Sequence, residues 1–151
     1  MDSIDRRLIE LLRGNARASY AELARQVGLS SPAVHERVAK LESSGVIRAY
    51  RADVAPEALG LGVTALIGIV QRSGVEIDEL AGTLSDLPEI EACYFMAGEE
   101  SFLLKVRVGT IAELERLIVR LHRIRGVANT RTTIALSVKW ENRPQPGHEP
   151  A

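Results

Sequence analysis

The 151-residue sequence predicts an α+β chain in two parts, and three observations predict it. Up to about residue 43 the apolar residues recur at helical spacing. From about residue 62 onward, β-type runs are interleaved with two amphipathic helical runs. A Pro- and Gly-containing stretch, VAPEALGLG, lies between the two patterns.

The first part opens on a helix whose Ile4, Leu8, Leu11 and Leu12 share one face, with Ser3 as the expected N-cap and Gly14-Asn15 as the stop. Ser19-Tyr20-Ala21-Glu22 fits the S-x-x-E capping box and starts a short helix that buries Leu23, Ala24 and Val27. Gly28 closes it. After a very short turn, Ser30-Ser31-Pro32 opens another helix, with Val34, Val38 and Leu41 as its buried stripe and Ser44-Gly45 as its end. Residues 46–51 then read as a β-wing. Helix, helix, tight glycine turn, helix and wing is the layout of a winged helix-turn-helix.

The second part reads as a strand over 63–71, a helix over 77–87 ended by Pro88, strands over 90–97 and 102–108, a helix over 111–125, and a long strand over 127–140. In that last strand Thr132, Ile134, Leu136 and Val138 alternate with Arg131, Thr133, Ala135 and Ser137. The order β-α-β-β-α-β is ferredoxin-like. Its helices cover one sheet face only, yet VTALIGIV and IEACYFMA are apolar on both. A second copy of the domain is the simplest cover, so a homo-oligomer is expected.

Composition narrows the classes. Hydrophobic residues make up 46% of the chain, enough for packed cores. No apolar run approaches the roughly 20 residues needed to cross a bilayer, so no membrane association is expected. The N-terminus MDSIDRRLIELL places acids ahead of its basic pair and has no small-residue cleavage site, so no signal peptide is expected and the location is read as cytoplasmic. The single cysteine, Cys93, excludes an intramolecular disulfide and a four-cysteine zinc site; it reads as a small buried hydrophobe. Residues 1–53 carry nine Lys/Arg against seven Asp/Glu, and the remainder ten against thirteen, so the two parts differ in sign.

On the third helix, the face opposite the buried stripe offers Ser31, Pro32, His35, Glu36, Ala39 and Lys40. In a helix-turn-helix this segment meets base edges while nearby cations hold phosphates. Ser31 and His35 can exchange hydrogen bonds with bases, and Pro32 and Ala33 can touch a thymine methyl. Ser30 joins the DNA-contacting set at the helix cap, with Arg17, Arg37, Lys40, Arg48 and Arg51 as phosphate contacts. Glu36 repels phosphate unless it accepts from a cytosine amine or pairs with a neighbouring cation. Double-stranded DNA is the partner this part implies.

The turn between the central strands, Ala97-Gly98-Glu99-Glu100-Ser101-Phe102, leaves three readings open. Adjacent carboxylates can be a catalytic pair, a ligand clamp or a solvated hairpin turn. No nucleophile–base or metal spacing accompanies them: His35, His122 and His148 are scattered, so no enzyme, cofactor or metal is expected. As a clamp, the turn would offer backbone N–H groups and Ser101 to an amino-acid carboxylate, with Glu99 or Glu100 facing the ammonium. Thr132 and Thr133 on the last strand could complete such a pocket or simply pack across strands.

The words IDRRLIELLRGNARASYAELARQVGLSSPAVHERVAKLESSGVIRAYRADVAPEALG, LPEIEACYFMAGEESFLLKVRV and GVANTRTTIAL resemble the Lrp/AsnC family of leucine-responsive/asparagine-type transcription regulators, in order and over roughly residues 2–140. Pattern and composition divide the chain into a winged helix-turn-helix domain over 1–53, a Pro- and Gly-containing linker over 54–62, a ferredoxin-like domain over 63–140 and a flexible Pro-rich polar tail over 141–151. The resemblance implies that the first binds DNA and that the ferredoxin-like domain senses an effector and oligomerises. It implies dimers that assemble further, often to octamers around which DNA can wrap. It also implies an amino-acid effector near the turn between the second and third strands. The family pattern there is G-x-x-D-Y-L-L, whereas this chain has Ser101 at the aspartate and Phe102 at the tyrosine. The alternative is an assembly-only architectural DNA-binding protein without effector sensing.

Overall fold

The computed structural model describes residues 1–145 and residue 147. The chain divides into two compact units, Met1–Asp53 with the segment from Trp140, and Val54–Lys139. Part of the expected flexible tail, Pro146 and residues 148–151, lies outside the described residues.

The first unit is built on α1 (Ser3–Gly14), α2 (Tyr20–Val27) and α3 (Ser31–Ser43). Each start is set by a side chain that accepts from an otherwise unpaired backbone N–H of the first turn. The cap of α1 is Asp2, one residue before the expected Ser3. Asp2 and Asp5 exchange side-chain-to-backbone bonds of 2.9 Å each, a reciprocal capping box. Ser19 accepts from Glu22 N at 3.2 Å, and Ser30 accepts from Ala33 N at 3.4 Å. Leu8, Leu12, Leu23, Ala24, Val34 and Val38 form one buried cluster where the three helices meet.

The expected β-wing is not formed: residues 46–51 belong to no strand among the described residues. The cause is pairing. A strand needs a ladder partner to satisfy its backbone, and the described residues of this unit contain no other strand. What holds the segment is the 3.0 Å backbone bond from Ile47 to Leu41 and the Tyr50 hydroxyl, which donates to Glu42 Oε1 at 2.8 Å.

The second unit carries β1 (Val63–Gln71), α4 (Ile77–Ser85), β2 (Ile90–Phe95), β3 (Phe102–Val108), α5 (Ile111–Arg123) and β4 (Val127–Ala135). The strands form one antiparallel sheet in the order β2-β3-β1-β4, the ferredoxin-like arrangement. Ala65, Ile67 and Ile69 pair with Val106, Leu104 and Phe102, and directly opposed residues share a face. That face packs under Leu80 and Leu84 of α4 and Leu114, Leu117 and Leu121 of α5, all buried. A 3-10 turn at Pro56–Leu59 occupies the stretch expected as a plain linker.

Four elements end earlier than expected, β2 among them, at Phe95 rather than residue 97. α4 stops at Ser85 and α5 at Arg123, and β4 stops at Ala135 rather than continuing to residue 140. β4 runs out because its partner does. Ala135 pairs with Thr64, and β1 begins one residue earlier, at Val63. Beyond that point Leu136 is fully exposed and the alternation has no ladder to serve.

The other sheet face carries Leu66 and Tyr94, which are 41% and 55% exposed. The expected apolar, uncovered face is therefore present in the single chain. Polar cross-strand contacts share it. Glu91 accepts from Lys105 Nζ at 3.0 Å and from Arg107 Nε at 2.6 Å, while Arg107 also donates to Thr64 Oγ1 at 3.2 Å.

Candidate functional site

In the first unit the site is the α2–turn–α3 segment. Gly28 ends α2 in the left-handed region at φ 71°, and Leu29 N donates to Ala24 O at 3.1 Å. A side chain at Gly28 would strain that conformation, and the sharp reversal depends on it. Pro32 sits in the first turn of α3, where its missing N–H costs nothing.

Burying Val34, Val38 and Leu41 fixes the rotation of α3 and turns Pro32, His35, Glu36, Ala39 and Lys40 outward as one exposed surface. Ser31 is half-buried at its edge, and Arg17 and Arg48 are exposed elsewhere on the unit. The Ser30 hydroxyl is already engaged as the cap. Glu36 has no ion-pair partner among the described residues.

Arg37 is different. Its guanidinium Nη1 lies 2.7 Å from both Asp2 Oδ2 and Asp5 Oδ1, so its charge is held by the start of α1 rather than offered to phosphate. The position, three residues after buried Val34, turns it toward α1 and away from the outward surface. The Asp5 backbone N–H, and next Arg37, hold the Asp2 carboxyl below the usual carboxylate range. Asp5 is lowered likewise, first by the Asp2 backbone N–H and then by Arg37 against a burial effect of opposite sign. Tyr50, whose hydroxyl faces Glu42, is pushed up to about 12, first by burial and then by that carboxylate.

In the second unit the β2–β3 turn is pinned at both ends by its backbone. Met96 N donates to Ser101 O, and Ser101 N reaches past its hairpin to Ile69 O on β1, both at 2.8 Å. This docking swings Glu100 over the open sheet face. On that face one transverse row runs Tyr94, Leu103, Gly68, Arg131. Glu100 lies on Gly68: a Cβ there would sit 2.6 Å from Glu100 Cγ. Its Oε1 is 3.1 Å from Arg131 Nη1, and Glu99 Oε2 is 3.5 Å from Arg131 Nη2. A glycine is the one residue that leaves room for this crossing.

The expected ligand residues therefore separate. Glu99, Glu100 and Ser101 gather at the open face, with Ala97 and Gly98 exposed in the turn. Phe102 is 2% exposed, opposes Ile69 on the helix-covered face, and stacks at a tilt on Phe95 with centroids 5.5 Å apart. Thr132 opposes Ile67 on that covered face, whereas Thr133 opposes Leu66 on the open one. The two threonines leave opposite sides of β4 and cannot line one pocket together. Arg131 and Gly68 complete the constellation that the sequence reading missed. In the sequence Arg131 is only one position of an alternating strand, with nothing local to tie it to the turn.

The arrangement places a cation between two carboxylates at the rim of an uncovered sheet. A zwitterion fits it chemically, its carboxylate replacing a glutamate at Arg131 and its ammonium meeting the displaced carboxylate. No group of His, Cys, Asp and Glu suited to a metal exists among the described residues. The Cys93 thiol, exposed rather than buried as expected, is raised by partial desolvation, the opposite of an activated nucleophile. His122 Nε2 lies 2.8 Å from Thr130 Oγ1; His148 lies outside the described residues. Among the described residues, no helix is long and apolar enough to cross a membrane.

Comparison with known proteins matches both units. Residues 1–42 match the model of the AsnC-type helix-turn-helix domain, and residues 63–145 that of the Lrp/AsnC ligand binding domain. The chain is 42% identical over 145 residues to the HTH-type transcriptional regulator LrpA of Mycobacterium tuberculosis, covering 95% of each. It is 36% identical over 137 residues to the regulatory protein AsnC of Escherichia coli, covering 90% of each. Among solved structures, a feast or famine regulatory protein from M. tuberculosis complexed with L-methionine superposes with a TM-score of 0.87 at 40% identity, over 95% of this chain and 97% of that one.

Proposed function

The chain belongs to the Lrp/AsnC family of DNA-binding transcription regulators, and from that premise we propose that it is a one-component sensor whose DNA binding responds to an amino acid. The outward surface of α3, centred on Pro32, His35 and Lys40, reads the operator, with Arg17 and Arg48 on phosphates. The effector seats at the β2–β3 turn, where Glu100, Glu99 and Arg131 meet above Gly68. A second copy covers the open face around Leu66 and Tyr94, and such dimers associate further. Acting on DNA, the protein works in the cytoplasm.

One observation carries the sensing half: the turn is docked onto β1 so that a carboxylate crosses a glycine to a guanidinium. That is an arrangement of charges able to exchange partners with a zwitterion. The methionine complex of the M. tuberculosis relative supports an amino acid as the class of ligand. Coupling is a population shift, because a ligand that binds one assembly better than another favours that assembly by its differential affinity.

A gel shift on a DNA fragment selected by the protein itself, with each of the twenty amino acids in turn, tests the reading. At least one amino acid is expected to change the affinity or the number of shifted species. Invariance to all twenty would leave the assembly-only alternative, which the substitution of Ser101 for the family's aspartate favours.

A further inference from the structure

We propose that Tyr20 is a positioning residue for DNA reading: it holds the His35 imidazole in the orientation that meets a base edge. The inference rests on the reading of α3 as the recognition helix. The two rings stand at 89° with centroids 4.9 Å apart, an edge-to-face contact between the first residue of α2 and the outward face of α3. Such pairs are favourable beyond the area they bury.

His35 is exposed and makes no hydrogen bond among the described residues, so the Tyr20 ring is what restrains it. An unrestrained imidazole on a helix surface samples several rotamers and must lose that freedom when it binds. Contact with a ring, rather than a hydrogen bond, restrains it without tying either ring nitrogen to a protein donor or acceptor. Tyr20 is itself rigidly placed. It follows the Ser19 cap, and α2 is packed on α3 through Leu23, Ala24, Val34 and Val38. At 39% exposure its loss leaves the buried cluster intact.

The test is the ratio of affinities for a DNA fragment selected from a random library and for unselected DNA of equal length, with melting temperature as control. Proteins compared are wild type, His35→Ala, Tyr20→Phe, Tyr20→Leu, Tyr20→Gln and the double variant Tyr20→Leu/His35→Ala. Tyr20→Leu and Tyr20→Gln should each lower the ratio by roughly three- to tenfold with non-specific affinity unchanged. Tyr20→Phe should retain it, and Tyr20→Leu should add nothing to His35→Ala.

An unchanged ratio in Tyr20→Leu and Tyr20→Gln, alongside a loss in His35→Ala, would overturn this inference alone. So would an equal Tyr20→Leu effect in the His35→Ala background. An unchanged ratio in His35→Ala itself would overturn both the inference and the base-reading role of His35.

Discussion

Glu100 crosses the backbone of β1 at Gly68 to reach Arg131 on the far strand, with Oε1 3.1 Å from Nη1. Arg131 is 67% exposed, so the pair is solvent-screened and contributes little to folding. Glu100→Gln is therefore expected to move the unfolding free energy by less than about 1 kcal/mol, while abolishing the amino-acid response in the gel shift. A chemical-denaturation curve beside the gel shift checks both halves. A large loss of stability would make the pair a structural strut instead.

Gly68 is the second handle on the same contact. Gly68→Ala places a methyl 2.6 Å from Glu100 Cγ, too close for both to stay, and the flexible glutamate is the part that can yield. Glu100 should be displaced, with effector affinity reduced by about tenfold, the scale of losing one charged hydrogen bond. Circular dichroism should stay unchanged. Equal affinity in Gly68→Ala would separate Glu100 from the ligand.

Arg37 and Lys40 are both cations on α3, but they should behave oppositely. Lys40→Ala is expected to weaken selected and unselected DNA alike and to reduce the slope of log affinity against log salt by about 1. Arg37→Met should leave the slope unchanged, because Asp2 and Asp5 already hold that charge. A fall in slope for Arg37→Met would return it to the phosphate contacts.

The same pair of aspartates sets an acid limit. Their folded-state pKa values lie below the ordinary 3.8, so the stability they contribute is fully present above that value and is lost as pH falls through the lowered ones. The melting-temperature gap between wild type and Arg37→Met should be constant above about pH 5 and shrink as the pH drops below 3.8. A gap that widens in acid would contradict the assignment.

Leu66 and Tyr94 test the covered face. Both lie outside the helix-packed core, so Leu66→Lys/Tyr94→Lys should keep the secondary structure yet shift the solution mass toward the monomer. Light scattering after size exclusion reads the result. An unchanged mass would place self-association on another surface.

Much of this was legible in residue order because local chemistry dictates it. Ser19, Gly28 and Ser30 punctuate the helix-turn-helix through caps and a left-handed turn, and those signals act within a few residues. Where an element depends on a distant partner, reading along the chain overruns. The alternation after Ala135 continues through Leu136 and Val138, but nothing in the sequence announces that β1 starts at Val63 and so offers no partner past Leu136. The wing failed for the same reason.

The candidate effector site shows the same division. The glutamates of the turn stand out as neighbours in sequence. Gly68 and Arg131 lie on two other strands, and only the register of β1 against β3 and β4 brings them beneath Glu100. Thr132 and Thr133 were adjacent letters that the pleat sends to opposite faces. Arg37 reads as a phosphate contact in the sequence because its partners, Asp2 and Asp5, lie 35 and 32 residues earlier, two helices back.

Sensing, as proposed, requires that a free amino acid bind where Glu100 meets Arg131. Isothermal titration of the full chain with each of the twenty amino acids, repeated on Arg131→Ala, measures it most directly. Saturable heat is expected from at least one amino acid with the wild type and none from that amino acid with Arg131→Ala. Equal binding to both proteins, or no binding to the wild type by any of the twenty, would contradict it.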